Sequence, residues 1–184
     1  MAKPRFRAPA AAGAFFVLLA CTYPFWASWG LRHWGVAPVA GVLAVTALAR
    51  AALSRDPMSL GAGVLAGLVA ASGFLLDTET PLLFYPVLMN LLGLALFASS
   101  LRGTPIIVRF ARLRHPDLPP EGVRWCRGVT VAWCIFFVVN GSIALATVFS
   151  GDRDLWTLYN GFVSYVLMGV MFAGEWLLRP KVPR

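Results

Sequence analysis

Few side chains in this sequence combine the type and the spacing that catalysis or metal binding requires. The two histidines, His33 and His115, lie in separate turns that the charge distribution assigns to opposite sides of a membrane. The cysteines Cys21, Cys126 and Cys134 form no CxxC pair, and their odd number argues against a disulfide framework or a zinc site. His115 and Cys126 share a predicted side, but Cys–His catalysis also needs an orienting group and a built pocket. We therefore expect no catalytic, cofactor-binding or metal-binding residues and no enzymatic activity.

Charged side chains are concentrated in one polar segment, residues 102–127, with the sequence RGTPIIVRFARLRHPDLPPEGVRWCR. Loops rich in Lys and Arg stay in the cytoplasm when a membrane protein inserts, so this loop is predicted to be cytoplasmic. Its acids Asp117 and Glu121 are outnumbered by the arginines Arg102, Arg109, Arg112, Arg114, Arg124 and Arg127.

The first half of this loop has the pattern of a short amphipathic helix. Ile106, Phe110 and Leu113 share one helical face at positions i, i+4 and i+7, and arginines are interleaved with them. The pattern predicts a helix from Ile106 to Leu113 at the inner membrane interface, with its arginines directed to lipid headgroups or to an acidic partner. The predicted lipid or partner contacts are Arg109, Phe110, Arg112, Leu113 and Arg114.

Three asparagines, Asn90, Asn140 and Asn160, lie inside apolar segments, where polar side chains are uncommon. Asn90 and Asn140 fall at about the same predicted depth. They could form an interhelical hydrogen bond, which contributes roughly 0.6 kcal/mol in a membrane protein. They could instead line a polar substrate cavity. We favour the hydrogen bond, because two amides can satisfy one another without a ligand.

The acid nearest to the middle of a predicted span is Glu175, close to the inner end of the last apolar segment. Proton relays and ion-coupled pumps usually carry an ionisable group at mid-membrane depth. Arg179 follows four residues later, in the order that favours a helical ion pair. We therefore predict that Glu175 pairs with Arg179, although a functional acid is the other possibility.

The composition is typical of a membrane protein. The chain has 184 residues, of which 59% are hydrophobic and 13% charged, and its mean hydropathy is +0.72. A soluble domain has about a quarter charged residues, so this chain lacks the polar side chains to cover a water-facing surface. Its formal charge of +8 lies at the ends of apolar segments. This distribution indicates attraction to anionic headgroups and argues against nucleic acid as a partner.

Six apolar segments predict an all-α, polytopic membrane protein with a single membrane domain over residues 1–184. Each segment is bounded by charged or turn-forming residues, and a helix needs about 20 residues to cross a bilayer. The predicted spans are residues 8–31, 34–49, 57–76, 80–101, 128–151 and 155–178.

The first span has a second interpretation, because Leu18-Leu19-Ala20-Cys21 resembles a lipoprotein cleavage box. A cleaved signal peptide is normally followed by a hydrophilic mature domain. Here the chain continues as TYPFWASWG, which is apolar and aromatic. We therefore predict that the first helix is retained.

The orientation follows from the distribution of basic residues. If the N-terminus is cytoplasmic, only Arg32 and Arg153 of the 16 Lys and Arg residues fall in outer turns. The opposite orientation would place nearly all of them on the outer side, against the positive-inside rule. We predict that both termini are cytoplasmic and that the protein lies in a bacterial inner membrane.

Residues 85–179 resemble a family of small bacterial inner-membrane proteins whose genes accompany enzymes of type II fatty-acid-like and aryl-polyene synthesis. The motifs LFASSLRG, RW, VAWCIFFVVNG and WTLYNGFVSY are also distantly similar to the septation protein A family. Some members of the first family carry the label ketosynthase. A condensing enzyme has a large soluble fold with a Cys nucleophile and two His, or His and Asn, in one pocket. This chain is too short and too apolar for that fold.

The resemblance and the basic loop together imply a non-enzymatic accessory or scaffold protein for a lipid or fatty-acid-like biosynthetic system. Its expected partners are membrane lipids and an acidic cytoplasmic protein such as an acyl carrier protein, whose charge would complement the arginines. No cofactor is expected. The alternative is a small transporter or flippase for a lipid-like product, with Asn90 or Asn140 lining a continuous polar cavity.

Overall fold

The computed structural model describes Leu19, residues 22–53 and residues 57–179. Most of the first predicted span therefore lies outside the described residues. The predicted retention of the first helix, without cleavage before Cys21, also falls on residues outside the described ranges. The described part is all-helical, with 85% of its residues in helices and no strand.

The chain runs through nine α-helices and one π-helical segment in the described ranges. In order they are α1 (Tyr23–His33), α2 (Val36–Leu53), α3 (Pro57–Leu76), α4 (Thr80–Leu83), α5 (Tyr85–Ser100), α6 (Ile106–Arg112), α7 (Pro120–Phe149), α8 (Arg153–Leu158), the π-helical segment (Tyr159–Val163) and α9 (Ser164–Leu178).

Three of the described helical stretches are long and apolar enough to cross a membrane, which agrees with a membrane protein. They are Ser59–Leu76 within α3, Pro120–Phe149, and Arg153–Leu178, which joins α8, the π-helical segment and α9. Val36–Ala49 and Tyr85–Ser100 are shorter apolar helices.

The helices differ from the predicted spans mainly at their ends; α2, for example, continues to Leu53, beyond the predicted end at residue 49. The helix that contains the span predicted for residues 128–151 begins at Pro120, as proline in the first turn and the acidic Glu121 predict, since proline is favoured there and an acid complements the helix dipole. The span predicted for residues 80–101 is interrupted at Phe84, between α4 and α5.

Three tight turns lie at one end of the bundle, which we call the turn end. Each contains one residue with positive φ just after a helix: Gly35 at 80°, Asp77 at 49° and Gly151 at 69°. Such left-handed residues commonly terminate helices, and Gly and Asp tolerate the conformation better than most residues.

Two ion pairs join these turns. Arg32, near the end of α1, pairs with Asp154 in the first turn of α8. Arg153 pairs with Glu79, which follows α3. The turns before α2, α4 and α8 therefore meet at the turn end. Residues 101–119 lie at the opposite end, which we call the loop end, because α5 runs away from the turn end and α7 returns to it.

The turn end is organised around a break in the helical hydrogen bonding at Pro86. A helical carbonyl normally accepts from the N–H four residues later, but Pro86 has no N–H to donate to the Leu82 carbonyl. The Tyr23 hydroxyl donates to that carbonyl instead, at 2.7 Å. Trp156 donates its indole N–H to the next carbonyl, Leu83, at 3.0 Å.

Aromatic packing reinforces this junction. The Tyr23 ring lies 4.7 Å from the Tyr85 ring and 6.4 Å from the Trp156 ring, between centroids. Tyr23 is 2% exposed. It therefore brings α1 against both the α4–α5 break and α8.

We predict that Tyr23→Phe lowers the free energy of unfolding by about 1–3 kcal/mol, because it leaves the buried Leu82 carbonyl without a donor. In a Pro86→Ala background the loss should be smaller, since an alanine at that position restores the missing backbone N–H. The measurement is reversible unfolding in mixed detergent micelles.

Tyr159→Phe is the control for this rescue, because the Tyr159 hydroxyl donates to Asn140 and not to a proline-freed carbonyl. Its effect should be the same in both backgrounds. Equal losses for Tyr23→Phe in the two backgrounds would contradict the role assigned to Pro86.

Candidate functional site

A polar cluster joins α5, α7 and the π-helical segment in the interior of the bundle. Asn140 donates from Nδ2 to Asn90 Oδ1 at 3.0 Å. The Tyr159 hydroxyl donates to Asn140 Oδ1 at 2.9 Å. Asn90 in turn donates from Nδ2 to the Pro86 carbonyl at 2.9 Å. The hydrogen bonds thus run in one direction, from Tyr159 to the proline break.

Close packing of α5 against α7 allows the two amides to meet. A Cβ added at Gly141 would lie 3.0 Å from Asn90 Cβ, and one added at Gly93 would lie 2.8 Å from the Phe137 ring. Glycine at these helix contacts lets the two backbones approach, which is common between membrane helices.

The π-helical segment explains why neighbouring residues of one helix all face the interior. Tyr159, Asn160 and Gly161 are consecutive and all buried, whereas consecutive residues of an α-helix point about 100° apart. Gly161 fits because an added Cβ would lie 2.7 Å from the Phe25 ring. The sequence analysis missed both this segment and the part played by Tyr159; the Asn-Gly pair inside a helical pattern was the available signal.

Asn160 does not join the Asn90–Asn140 pair. Its Nδ2 donates to Thr147 Oγ1 at 3.1 Å and to the Trp156 carbonyl at 2.9 Å. All three predicted asparagines therefore use their amide groups in contacts within the protein, an arrangement that holds helices together.

The short basic helix, α6, extends from Ile106 to Arg112, and Leu113 follows it as the C-terminal cap. Its start is fixed by Ser100, whose hydroxyl oxygen accepts from the Ile106 N–H at 3.0 Å. The residue that anchors α6 is Val108, which is 1% exposed. Val108 is not part of the i, i+4, i+7 pattern that the sequence shows.

The predicted apolar face of α6 is divided between the protein and the surroundings. Ile106 and Ile107 pack against Phe97, Val129 and Trp133. Phe110 and Leu113 are 58% and 80% exposed. The division arises because α6 packs against the bundle through Ile106 and Ile107 and buries Val108, which leaves Phe110 and Leu113 on the exposed side.

The arginines of this segment are exposed on the same outward surface. Arg109, Arg112 and Arg114 are all exposed, and Arg109 Nε donates to the Thr104 carbonyl at 3.0 Å. Among the residues that the structure describes, none of the three forms an ion pair. We refer to Arg109, Phe110, Arg112, Leu113 and Arg114 as the outward surface of α6.

A groove of about 420 Å³ lies between α7 and α9 at the loop end. Its walls are largely apolar, and its polar residues include Arg124 and Glu175. The prediction that Glu175 pairs with Arg179 is confirmed, with an Nη2–Oε1 distance of 2.8 Å. The groove is also lined by Trp125, whose buried indole N–H has no hydrogen-bond partner among the described residues.

The residues considered for nucleophilic or metal chemistry are dispersed. Cys126 is buried in α7, and Cys134 is half-buried further along the same helix; both are free thiols. His115 is exposed in the loop. Within the described ranges, no group of three or more His, Cys, Asp or Glu residues could hold a metal ion.

Comparison of the chain with protein-family models, with curated proteins and with solved structures found no match.

We predict that Asn90 and Asn140 are energetically coupled. In a double-mutant cycle with Asn90→Ala and Asn140→Ala, the coupling should be about 0.6 kcal/mol and at most about 1.7 kcal/mol, the range found for membrane hydrogen bonds. Unfolding free energies measured in mixed micelles give the coupling.

Asn90 and Asn160 provide the matched control, because no hydrogen bond joins them in the structure. Their two substitutions should be additive within about 0.3–0.5 kcal/mol. If the effects of the Asn90 and Asn140 substitutions on the unfolding free energy are additive to the same extent, the hydrogen bond between these residues does not stabilise the fold.

Proposed function

We propose that the chain is a multi-pass protein of a bacterial inner membrane, with six spans and both termini in the cytoplasm. Two features support this topology. The three turns of the turn end are joined by ion pairs, as expected if they share one side of the membrane. The loop end carries the exposed arginines of residues 102–127, which the positive-inside rule assigns to the cytoplasm.

We further propose a non-enzymatic accessory role: the protein holds α6 at the inner membrane surface, where its outward surface binds anionic headgroups and recruits an acidic protein. The observation that carries this proposal is the outward surface itself, which combines three exposed arginines with the exposed Phe110 and Leu113, on α6 and the two residues that follow it. Helices of this kind bury apolar side chains among headgroups while their arginines bind anions.

The acidic partner that fits best is an acyl carrier protein of a lipid or fatty-acid-like biosynthetic system. Complementary charge accelerates association and selects partners, and the exposed guanidinium groups of Arg109, Arg112 and Arg114 form no ion pair within the described structure. The family resemblance of residues 85–179 supports the same class of partner.

The alternative, a small transporter or flippase, would require Asn90 or Asn140 to line a polar cavity. Their amides are instead hydrogen-bonded to each other, and neither residue lines the groove between α7 and α9. These contacts favour the accessory role.

The proposed role predicts that replacing Arg109, Arg112 and Arg114 together by Gln abolishes capture of a purified acyl carrier protein by the protein in lipid nanodiscs. Binding of the unaltered protein should weaken steeply between low salt and about 0.5 M salt, since screening shortens the range of the charge attraction. Surface-immobilised nanodiscs and a binding sensor give the measurement.

The matched control is the double variant Arg102→Gln with Arg127→Gln, which removes charge from the same loop end but not from α6. It should retain most of the binding. If the triple variant binds the carrier protein as well as the unaltered protein at both salt concentrations, the arginines serve only as membrane anchors and recruitment is excluded.

A further inference from the structure

The groove between α7 and α9 has a largely apolar lining, which suits an apolar ligand. Small residues open it, namely Gly128 and Ala132 on α7 and Gly174 on α9. A Cβ added at Gly128 or at Gly174 would meet no atom within 4 Å. The volume of about 420 Å³ falls in the range of ligand sites in proteins, about 300–1,000 Å³.

The lining changes from apolar to charged along the groove. Val129, Trp133 and Met171 form apolar walls, whereas Arg124 lies near the start of α7 and Glu175 near the end of α9. Both of these helix ends are at the loop end. A ligand that follows the lining would therefore place an apolar chain toward the middle of the bundle and a polar head at the loop end.

The charges at the loop end favour an anionic head. Glu175 is 14% exposed and is neutralised by Arg179. The Arg124 side chain is 74% exposed, and its contact with Glu121 is long, at 4.0 Å. An exposed ion pair of that kind is weak. Arg124 is thus available to donate to a phosphate, whose oxygens a guanidinium can bind in a bidentate arrangement.

Trp125, the next residue, also lines the groove. Its indole N–H is buried and has no acceptor in the described structure, although buried polar groups are normally satisfied. Ester carbonyls lie directly below the phosphate of a glycerophospholipid, and these are acceptors of the kind that an indole N–H bonds.

We propose that this groove binds an anionic phospholipid, with one acyl chain between α7 and α9 and the phosphate on Arg124. Phosphatidylglycerol has the required chemistry, since its head carries the phosphate charge without a compensating amine. The site is separate from the outward surface of α6, so it is independent of the proposed recruitment.

A second copy of the chain is the main competing occupant, because Gly128 and Ala132 have the small-xxx-small spacing of some helix dimers. A symmetric dimer would place the same patch of both copies face to face. Arg124 would then approach its own counterpart, an unfavourable contact that an anionic lipid would turn into a favourable one.

The test is a titration of the full-length protein with phosphatidylglycerol or phosphatidylcholine in detergent, followed by native mass spectrometry. The unaltered protein should bind phosphatidylglycerol at least about tenfold more tightly than phosphatidylcholine. Arg124→Gln should remove most of this preference and leave phosphatidylcholine binding unchanged. Gly174→Leu, which fills the groove, should lower the affinity for phosphatidylglycerol by about tenfold or more.

Gly169→Leu is the matched control, because Gly169 is exposed on the same helix, outside the groove, and an added Cβ there also meets nothing within 4 Å. It should bind lipid like the unaltered protein. If Gly174→Leu does not give a monodisperse protein, Gly128→Leu replaces it and should show the same loss.

Four results would overturn the proposal. Equal affinity of the unaltered protein for the two lipids would exclude head recognition. Unchanged binding by the groove-filling variant, or an equal loss in Gly169→Leu, would place the lipid elsewhere. A dimer that Gly174→Leu converts to a monomer, with no change in lipid binding, would assign the groove to a second copy.

Discussion

A backbone carbonyl inside a membrane must find its hydrogen-bond donor within the protein, because lipid tails offer none. Pro86 has no backbone N–H to donate to the Leu82 carbonyl, and the Tyr23 hydroxyl donates to that carbonyl instead, at 2.7 Å. Trp156 bonds the neighbouring Leu83 carbonyl at 3.0 Å. Because both donors come from other helices, satisfying this one break brings α1, the α4–α5 junction and α8 together and defines how the turn end packs.

The two ends of the bundle use their polar groups differently. A chain of hydrogen bonds connects Pro86 to Tyr159 through Asn90 and Asn140. The interior amides therefore hold α5, α7 and the π-helical segment together. Near the loop end, Phe97 and Trp133 instead pack through apolar and aromatic contacts. The arginines of the outward surface of α6 and Arg124, at the entrance of the α7–α9 groove, are consequently exposed. This division is why both proposed binding surfaces lie at the same end.

Much of the helical architecture could be predicted from the sequence, because charges and turn residues interrupt the apolar segments at the turns that contain Asp77 and Gly151. The short helix α6 followed from its i, i+4, i+7 pattern, and the Glu175–Arg179 pair from its spacing. The buried faces could not be predicted. When lipid is as apolar as the core, hydrophobicity does not distinguish an anchor such as Val108 from an exposed residue such as Phe110. The π-helical segment likewise depends on tertiary packing, since the Phe25 ring packs closely against Gly161.

The proposed topology places the turn end and the loop end on opposite sides of the inner membrane. Single-cysteine labelling with a membrane-impermeant maleimide tests it most directly, in a background where Cys21, Cys126 and Cys134 are replaced by Ala. Glu79→Cys should react in intact cells whose outer membrane has been permeabilised, and Arg112→Cys should react only after the inner membrane is also opened. Labelling of Arg112→Cys from outside, or protection of Glu79→Cys, would contradict the account.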